Sequence, residues 1–153
     1  MASKHLLIVF HTQSGNTEKM AQSVLAGAQA CEGVEIRYLR ALEAGVEDLL
    51  WADALLLGTP ENMGYMSGAL KDFFDRTFYP VQGKINNIPY GVFISAGNDG
   101  TSALMNIQRI ARGYPFHQVV EPIIARAEVT EADLLHCHEM GQTLAAGLEF
   151  GIF

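Results

Sequence analysis

The sequence predicts a single-domain α/β fold, a three-layer sandwich in which helices cover both faces of a five-stranded parallel sheet. Five short apolar segments alternate along the chain with segments of helical periodicity, which is typical of a mostly parallel sheet. The chain has 153 residues, 49% of them hydrophobic, and no linker or repeat interrupts it. Residues 1–153 are therefore expected to share one core.

The strand order follows from which segments have a buried pattern. Residues 6–10, 54–57 and 92–94 are continuously apolar, as are strands covered on both faces. Residues 34–39 alternate between apolar and polar, and residues 119–124 include a proline that cannot donate a ladder hydrogen bond. Both features favour a sheet edge, and the order 2-1-3-4-5 places these two strands at the edges.

Helical spacing and capping residues mark the segments between the strands. The predicted helices lie at about 16–30, 46–51, 67–77, 103–111 and 130–148. Ser67 is the expected N-cap of the third helix, and Thr130 opens a capping-box pattern with Asp133. Residues 79–88 are predicted to be a longer connection.

Three polar, glycine-containing loops follow the three buried strands, and in this sheet order they meet at one edge. The candidate binding residues are Thr12, Gln13, Ser14, Gly15, Asn16 and Thr17 in the first loop, Pro60, Glu61, Asn62, Met63, Gly64 and Tyr65 in the second, and Ser95, Ala96, Gly97, Asn98, Asp99 and Gly100 in the third. The sequence therefore predicts one composite binding site at the carboxyl edge of the sheet.

The first loop has the composition of a phosphate site. Backbone N–H groups at a helix start are unpaired within the helix, and the helix dipole favours an anion there. The hydroxyls of Thr12, Ser14 and Thr17 can add hydrogen bonds to a phosphate. The alternative is a turn rich in serine and threonine that only caps the helix.

The pattern Thr12-x-Ser14-Gly15-x-Thr17 resembles the phosphate-binding loop of the flavodoxin family. The second and third loops resemble those that hold the isoalloxazine ring in the NAD(P)H-oxidising branch of that family. The resemblance covers the whole chain and implies a flavodoxin-like fold with FMN as the cofactor. It also implies NAD(P)H as an electron donor that would bind over the flavin.

Within this resemblance, the second and third loops are expected to contact the flavin ring. Met63 and Tyr65 are candidates to pack against its face or edge. The backbone at Asn62, Met63 and Gly64 could meet the reactive nitrogen edge, since a glycine allows close approach. Residues 97–99 could offer amides to the pyrimidine end, although Asp99 could instead cap the following helix.

The third loop contains no aromatic residue, whereas shuttle-type flavodoxins commonly sandwich the flavin between two aromatic rings. One flavin face is therefore expected to be open, which favours an enzyme that passes electrons from NAD(P)H to a quinone or similar acceptor. No side chain is assigned as a catalytic acid or base, because the flavin would supply the chemistry. The alternatives are an electron-transfer flavodoxin reduced by another protein and a scaffold that has lost the flavin.

Charge and hydropathy limit the partners. A net charge of −7 disfavours nucleic acid and anionic membrane surfaces. No stretch reaches the roughly 18 unbroken apolar residues of a membrane span. A small-molecule or protein redox partner is expected, and the apolar segment 148–153 could pack on its own domain or form a homodimer contact.

Cysteine usage and the start of the chain indicate a cytoplasmic location. The two cysteines, Cys31 and Cys137, lie far apart and do not form a disulfide framework. The first residues carry no cleavable signal pattern. No metal site is expected, because neighbouring side chains of the run 136–138 diverge on a helix.

Overall fold

The computed structural model describes residues 3–153, and it confirms the predicted three-layer α/β sandwich. The elements in chain order are β1 (Lys4–Phe10), α1 (Asn16–Ala28), β2 (Val34–Arg40), α2 (Val46–Trp51), β3 (Ala54–Asn62), β4 (Tyr65–Met66), α3 (Gly68–Val81), β5 (Ile88–Ala96), α4 (Thr101–Gly113), β6 (Phe116–Gln118), β7 (Ile123–Arg126) and α5 (Glu131–Glu149).

The main sheet is parallel and has the order β2-β1-β3-β5-β6, so the predicted strand order is confirmed. The predicted bounds of the last strand, 119–124, are wrong. Two short strands replace it, because β6 pairs with the beginning of β5 and β7 pairs with its end. Residues 119–122 lie between them and include Pro122, which has no N–H to donate to a ladder.

Two segments predicted as loops carry secondary structure. Helix α3 continues to Val81, whose fully buried side chain anchors the last turn, so the predicted connection at 79–88 begins later. The second loop is a hairpin, because Asn62 on β3 pairs antiparallel with Tyr65 on β4. Pro60, Glu61 and Asn62 are therefore strand residues rather than loop residues.

The predicted helix caps are confirmed. The hydroxyl oxygen of Ser67 accepts a hydrogen bond from the amide of Leu70 at 3.1 Å and begins α3. At the start of α5, Thr130 and Asp133 form the reciprocal capping box. Both caps satisfy N–H groups that a helix leaves unpaired at its first turn.

Helices α1 and α5 cover one face of the sheet and cross at a backbone contact. A Cβ atom on Gly27 would lie 1.9 Å from the carbonyl oxygen of His138. A Cβ atom on Gly141 would lie 1.9 Å from the carbonyl oxygen of Val24. Only glycine fits at these two positions, because any side chain would overlap the opposite main chain.

Helices α2, α3 and α4 cover the other face, whose core is rich in aromatic rings. The rings of Tyr114 and Phe116 stack with their centroids 4.3 Å apart, and Phe78 meets Tyr114 edge-on at 5.1 Å. A groove of about 530 Å³ remains open between α3 and α4. The two faces therefore differ in how closely their helices approach.

The end of the chain packs against its own domain. The ring of Phe153 covers Gly147 on α5, and the amide of Ile152 donates to the Gly147 carbonyl at 2.8 Å. Among residues 3–153, no helix is both long enough and apolar enough to cross a bilayer.

Candidate functional site

Residues of all three polar loops meet at the carboxyl edge of the sheet around a cavity of about 310 Å³. The lining residues are Gln13, Ser14 and Asn16 from the first loop, Pro60, Glu61 and Asn62 from the second, Ser95, Ala96 and Gly97 from the third, and Ala127. The other predicted site residues lie outside this lining. They are Thr12, Gly15, Thr17, Met63, Gly64, Tyr65, Asn98, Asp99 and Gly100.

The first loop is shaped by Thr12 and Gly15. Gly15 has a φ of 100°, a left-handed conformation that favours glycine, and α1 begins at the next residue. The hydroxyl oxygen of Thr12 accepts hydrogen bonds from the amides of Gly15 at 3.1 Å and Glu18 at 3.3 Å. Thr12 therefore holds the turn and the start of the helix. The amides of Asn16 and Thr17 have no intrahelical acceptor and can serve an anion.

Thr17 joins the first loop to the third. Its side chain is buried, and its hydroxyl lies 2.8 Å from the hydroxyl of Ser95. The Thr17 hydroxyl, predicted to face a phosphate, is thus engaged by the neighbouring strand end. Ser14 is the hydroxyl residue of the first loop that lines the cavity.

A second hydrogen bond joins the first loop to the hairpin. The side-chain amide of Asn62 donates to the side-chain oxygen of Gln13 at 2.9 Å. Side-chain hydrogen bonds therefore join the first loop directly to each of the other two loops.

The base of the hairpin is held by Thr59, which sequence reasoning missed. Its buried hydroxyl donates to the carbonyl of Pro60 at 2.8 Å and accepts from the amide of Ser67 at 2.9 Å. These bonds join the start of the hairpin to the start of α3. The sequence feature that could have indicated this role is a threonine after an apolar strand, directly before a proline.

The hairpin tip points Met63 into solvent. Met63 and Gly64 have φ values of 50° and 74°, as in the two-residue turns with positive φ that connect hairpin strands. The Met63 side chain is fully exposed, and Tyr65 is half-buried against the groove between α3 and α4. Contact of Met63 and Tyr65 with a flavin ring therefore remains a prediction.

Asp99 in the third loop forms hydrogen bonds at the start of α4, whose N-cap residue is Gly100. Its carboxylate accepts hydrogen bonds from the amide of Thr101 at 2.9 Å and from the Thr101 hydroxyl at 2.5 Å. These hydrogen bonds hold the pKa of Asp99 below its usual range. Gly97 is open, since no atom lies within 4 Å of a Cβ placed there.

A fourth loop, after β7, completes the cavity. Ala127 has a φ of 62°, and its amide donates to the carbonyl of Ala96 at 2.8 Å. Sequence reasoning missed it because the last strand was placed at residues 119–124. The strand end at Arg126 brings Ala127 to the same edge as the other loops.

The lining of the cavity, within the part of the chain that the structure describes, contains no cationic side chain, so an anion bound there would be held by neutral donors. Among its lining residues, Glu61 carries the one charged side chain. At the end of β1, burial and the nearby Arg40 lower the pKa of His11, which favours its neutral form. A phosphate here would depend on amides and hydroxyls, and the first loop supplies both. The residues present fit the phosphate tail of FMN.

The strand order and the polar cavity at the carboxyl edge place this chain among flavodoxin-like α/β proteins. A flavodoxin from the domain Archaea superposes with a TM-score of 0.84 at 21% identity, covering 95% of this chain and 99% of that one. Flavodoxin 1 from Bacillus cereus gives 0.81 at 20% identity, covering 95% and 99%. At these identities the similarity shows the fold.

The chain belongs to the NADPH-dependent FMN reductase family, whose model matches residues 40–130. FMN is the cofactor of that family and of the flavodoxins, in agreement with the cofactor predicted from the sequence.

Two curated relatives align with part of the chain. A protein named flavodoxin from Aquifex aeolicus is 42% identical over 95 residues, which is 62% of this chain and 51% of that protein. An NAD(P)H dehydrogenase (quinone) from Acidithiobacillus ferrooxidans is 28% identical over 92 residues, 47% of this chain and 46% of that protein. The chain spans about half the length of these curated relatives.

Proposed function

We propose that this protein is an FMN-dependent oxidoreductase that takes electrons from NAD(P)H and passes them to a quinone or similar small acceptor. The observation that carries the proposal is the lining of the loop cavity. None of its ten residues is aromatic, so no lining side chain would stack on a flavin ring. A flavin bound here would keep a face free for a nicotinamide or a quinone.

Each part of the cavity has a role in this proposal. Ser14 and the amides of Asn16 and Thr17 would hold the phosphate. The strand end at Pro60–Asn62 and the backbone at 95–97 would flank the ring and fix its position. Bound FMN would supply the hydride and electron transfer, while these residues would bind and orient it.

The second candidate is an electron-transfer flavodoxin that another protein reduces. The 42% identity to a relative named flavodoxin favours it. The two candidates differ in one measurable property, turnover of NAD(P)H by the protein alone.

The test is steady-state NADPH oxidation by the FMN-loaded protein with a soluble quinone, compared with free FMN at equal concentration. Turnover well above free FMN is expected. Turnover equal to free FMN, with FMN still bound, would support the electron carrier. A colourless protein that fails to quench added FMN fluorescence would contradict both candidates.

Gly97→Tyr sharpens this test. The new ring would enter open space at the cavity, because no atom lies within 4 Å of a Cβ at Gly97. We expect it to cover the flavin and lower turnover by at least about tenfold, since stacked rings are favourable and would exclude the nicotinamide. Ala30→Tyr is the matched control, because it adds the same ring at an exposed site after α1. Equal turnover in the two variants would contradict the open face.

A further inference from the structure

The groove between α3 and α4 has the size of a small-molecule site. Its volume is about 530 Å³, compared with about 310 Å³ for the loop cavity. Small-molecule sites usually enclose about 300–1,000 Å³. The groove is thus large enough to hold part of a small-molecule ligand outside the loop cavity.

One wall of the groove is aromatic. Tyr65, Phe78 and Tyr79 line it, and Phe78 meets Tyr79 edge-on with ring centroids 5.1 Å apart. The side chain of Tyr79 is 76% exposed, so its ring is available to a ligand. Exposed rings beside a groove favour a planar aromatic ligand, which can stack on them.

The groove also carries an unneutralised positive charge. Lys71 is paired with Asp75 at 2.7 Å, whereas Arg109 forms no ion pair within residues 3–153. Helix α4, which bears Arg109, contains no acidic residue, although the whole chain has a net charge of −7. Arg109 also lines a second cavity on α4, together with Arg112. A guanidinium without an ion-pair partner in the lining of the groove suits an anionic group such as a phosphate.

The groove and the loop cavity adjoin the two strands of the same hairpin. Tyr65 lines the groove and lies on β4, and β4 is paired with β3, whose last residues Pro60–Asn62 line the loop cavity. From Tyr65 the groove follows α3 past Lys71 to Tyr79. A ligand with one end over the flavin could therefore reach the groove by crossing the hairpin.

We propose that this groove binds the adenosine-phosphate part of the nicotinamide donor, with the adenine against the aromatic wall and a phosphate on Arg109. This inference rests on the proposed function and names the donor-binding part of that site. A second molecule of FMN has the same chemistry, because it is also a planar heteroaromatic ring that bears a phosphate. The experiment distinguishes FMN from the nicotinamide donor. An uncharged quinone would leave Arg109 without a role.

The experiment is calorimetric titration of the FMN-loaded protein with 2′,5′-ADP, which carries the recognised part without the nicotinamide. We expect saturable binding that Arg109→Ala weakens about tenfold or more, because hydrogen bonds to a charged group are strong. Arg112→Ala is the matched control, since it removes the same charge from the same helix outside the groove. Its effect should stay below about twofold. Tyr79→Ala, which removes an exposed ring of the aromatic wall, should also weaken binding.

Kinetics provide a second measurement. Arg109→Ala should raise the KM for NADPH and leave kcat unchanged, because the lost contact is far from the reacting ring. If NADPH is oxidised but neither Arg109→Ala nor Tyr79→Ala changes 2′,5′-ADP binding or the KM for NADPH, the groove proposal is wrong and the proposed function stands. If NADPH is not oxidised, the titration still shows whether the groove binds 2′,5′-ADP. Excess FMN provides the second comparison. If FMN binds in the groove and 2′,5′-ADP does not displace it, the assignment of the groove to the donor is wrong.

Discussion

The two faces of the sheet are built differently. On one face, α1 and α5 meet main chain to main chain through Gly27 and Gly141. On the other, α3 and α4 stand apart above an aromatic core and leave a groove of about 530 Å³. The face covered by α1 and α5, the closed face, has no space for a ligand at the helix crossing. The face covered by α3 and α4, the open face, has space in the groove. The comparison shows that the helices of one face are in main-chain contact, whereas those of the other face leave a groove between them.

The largest expected effect is on the closed face. Gly141→Ala would place a Cβ atom 1.9 Å from the carbonyl oxygen of Val24, so the helices would have to separate. We expect a loss of about 3 kcal/mol in the free energy of unfolding, at the upper end for overpacked cores. Chemical denaturation of both proteins measures it. A loss below about 0.5 kcal/mol would show that the crossing is not close-packed.

An intermediate effect is expected from Tyr114 in the aromatic core. Its hydroxyl donates to the carbonyl of Phe74 at 3.1 Å and lies 2.8 Å from the Thr77 hydroxyl. Tyr114→Phe should cost about 1 kcal/mol at neutral pH, since it removes buried hydrogen bonds. Denaturation at pH 7 measures this cost, and an unchanged stability would contradict it.

The same variant should change the response to alkaline pH. Burial raises the pKa of Tyr114 from 10.0 to about 12, so the unfolded chain loses this proton at lower pH than the folded protein does. The stabilisation from the neutral phenol is complete below pH 10 and is lost as the pH rises toward 12. Denaturation curves between pH 9 and about 12 should therefore fall less steeply for Tyr114→Phe than for the parent. Parallel curves would exclude this contribution.

The smallest effect is expected from Gly113→Ala, the open-face counterpart of Gly141→Ala. A Cβ atom there would meet the edge of the Phe78 ring at 3.2 Å, and that ring borders the groove and can move. The gain of up to about 1 kcal/mol in helix propensity offsets the contact, so we expect a net change within about 0.5 kcal/mol. If Gly113→Ala and Gly141→Ala lower the free energy of unfolding equally, the two faces do not differ in how closely they are packed.

The sequence was sufficient for the layers, the strand order and the meeting of the three loops. Continuous apolar runs identify central strands because both faces of such strands are covered, and this pattern is local. The last strand was misplaced because Pro122 was taken as part of an edge strand, whereas it lies between two short strands. The hairpin at 62–65 was missed because Gly64 suggested an open loop.

The roles of individual side chains were less predictable than the backbone. The hydroxyl of Thr17 has the right residue type for a phosphate ligand, yet Ser95, 78 positions away, engages it. Tyr65 belongs to the second loop in sequence but lines the groove between α3 and α4. Such partners depend on contacts distant in sequence, which neither periodicity nor motif spacing records.

The glycine pair also constrains how this sequence can diverge. Most core substitutions can be offset by a second change, because the neighbour is a side chain that can shrink. Gly27 and Gly141 each face a main-chain carbonyl, which no substitution removes. Neither position has a compensating partner, so descendants of this chain can exchange these glycines only by moving α5 away from α1.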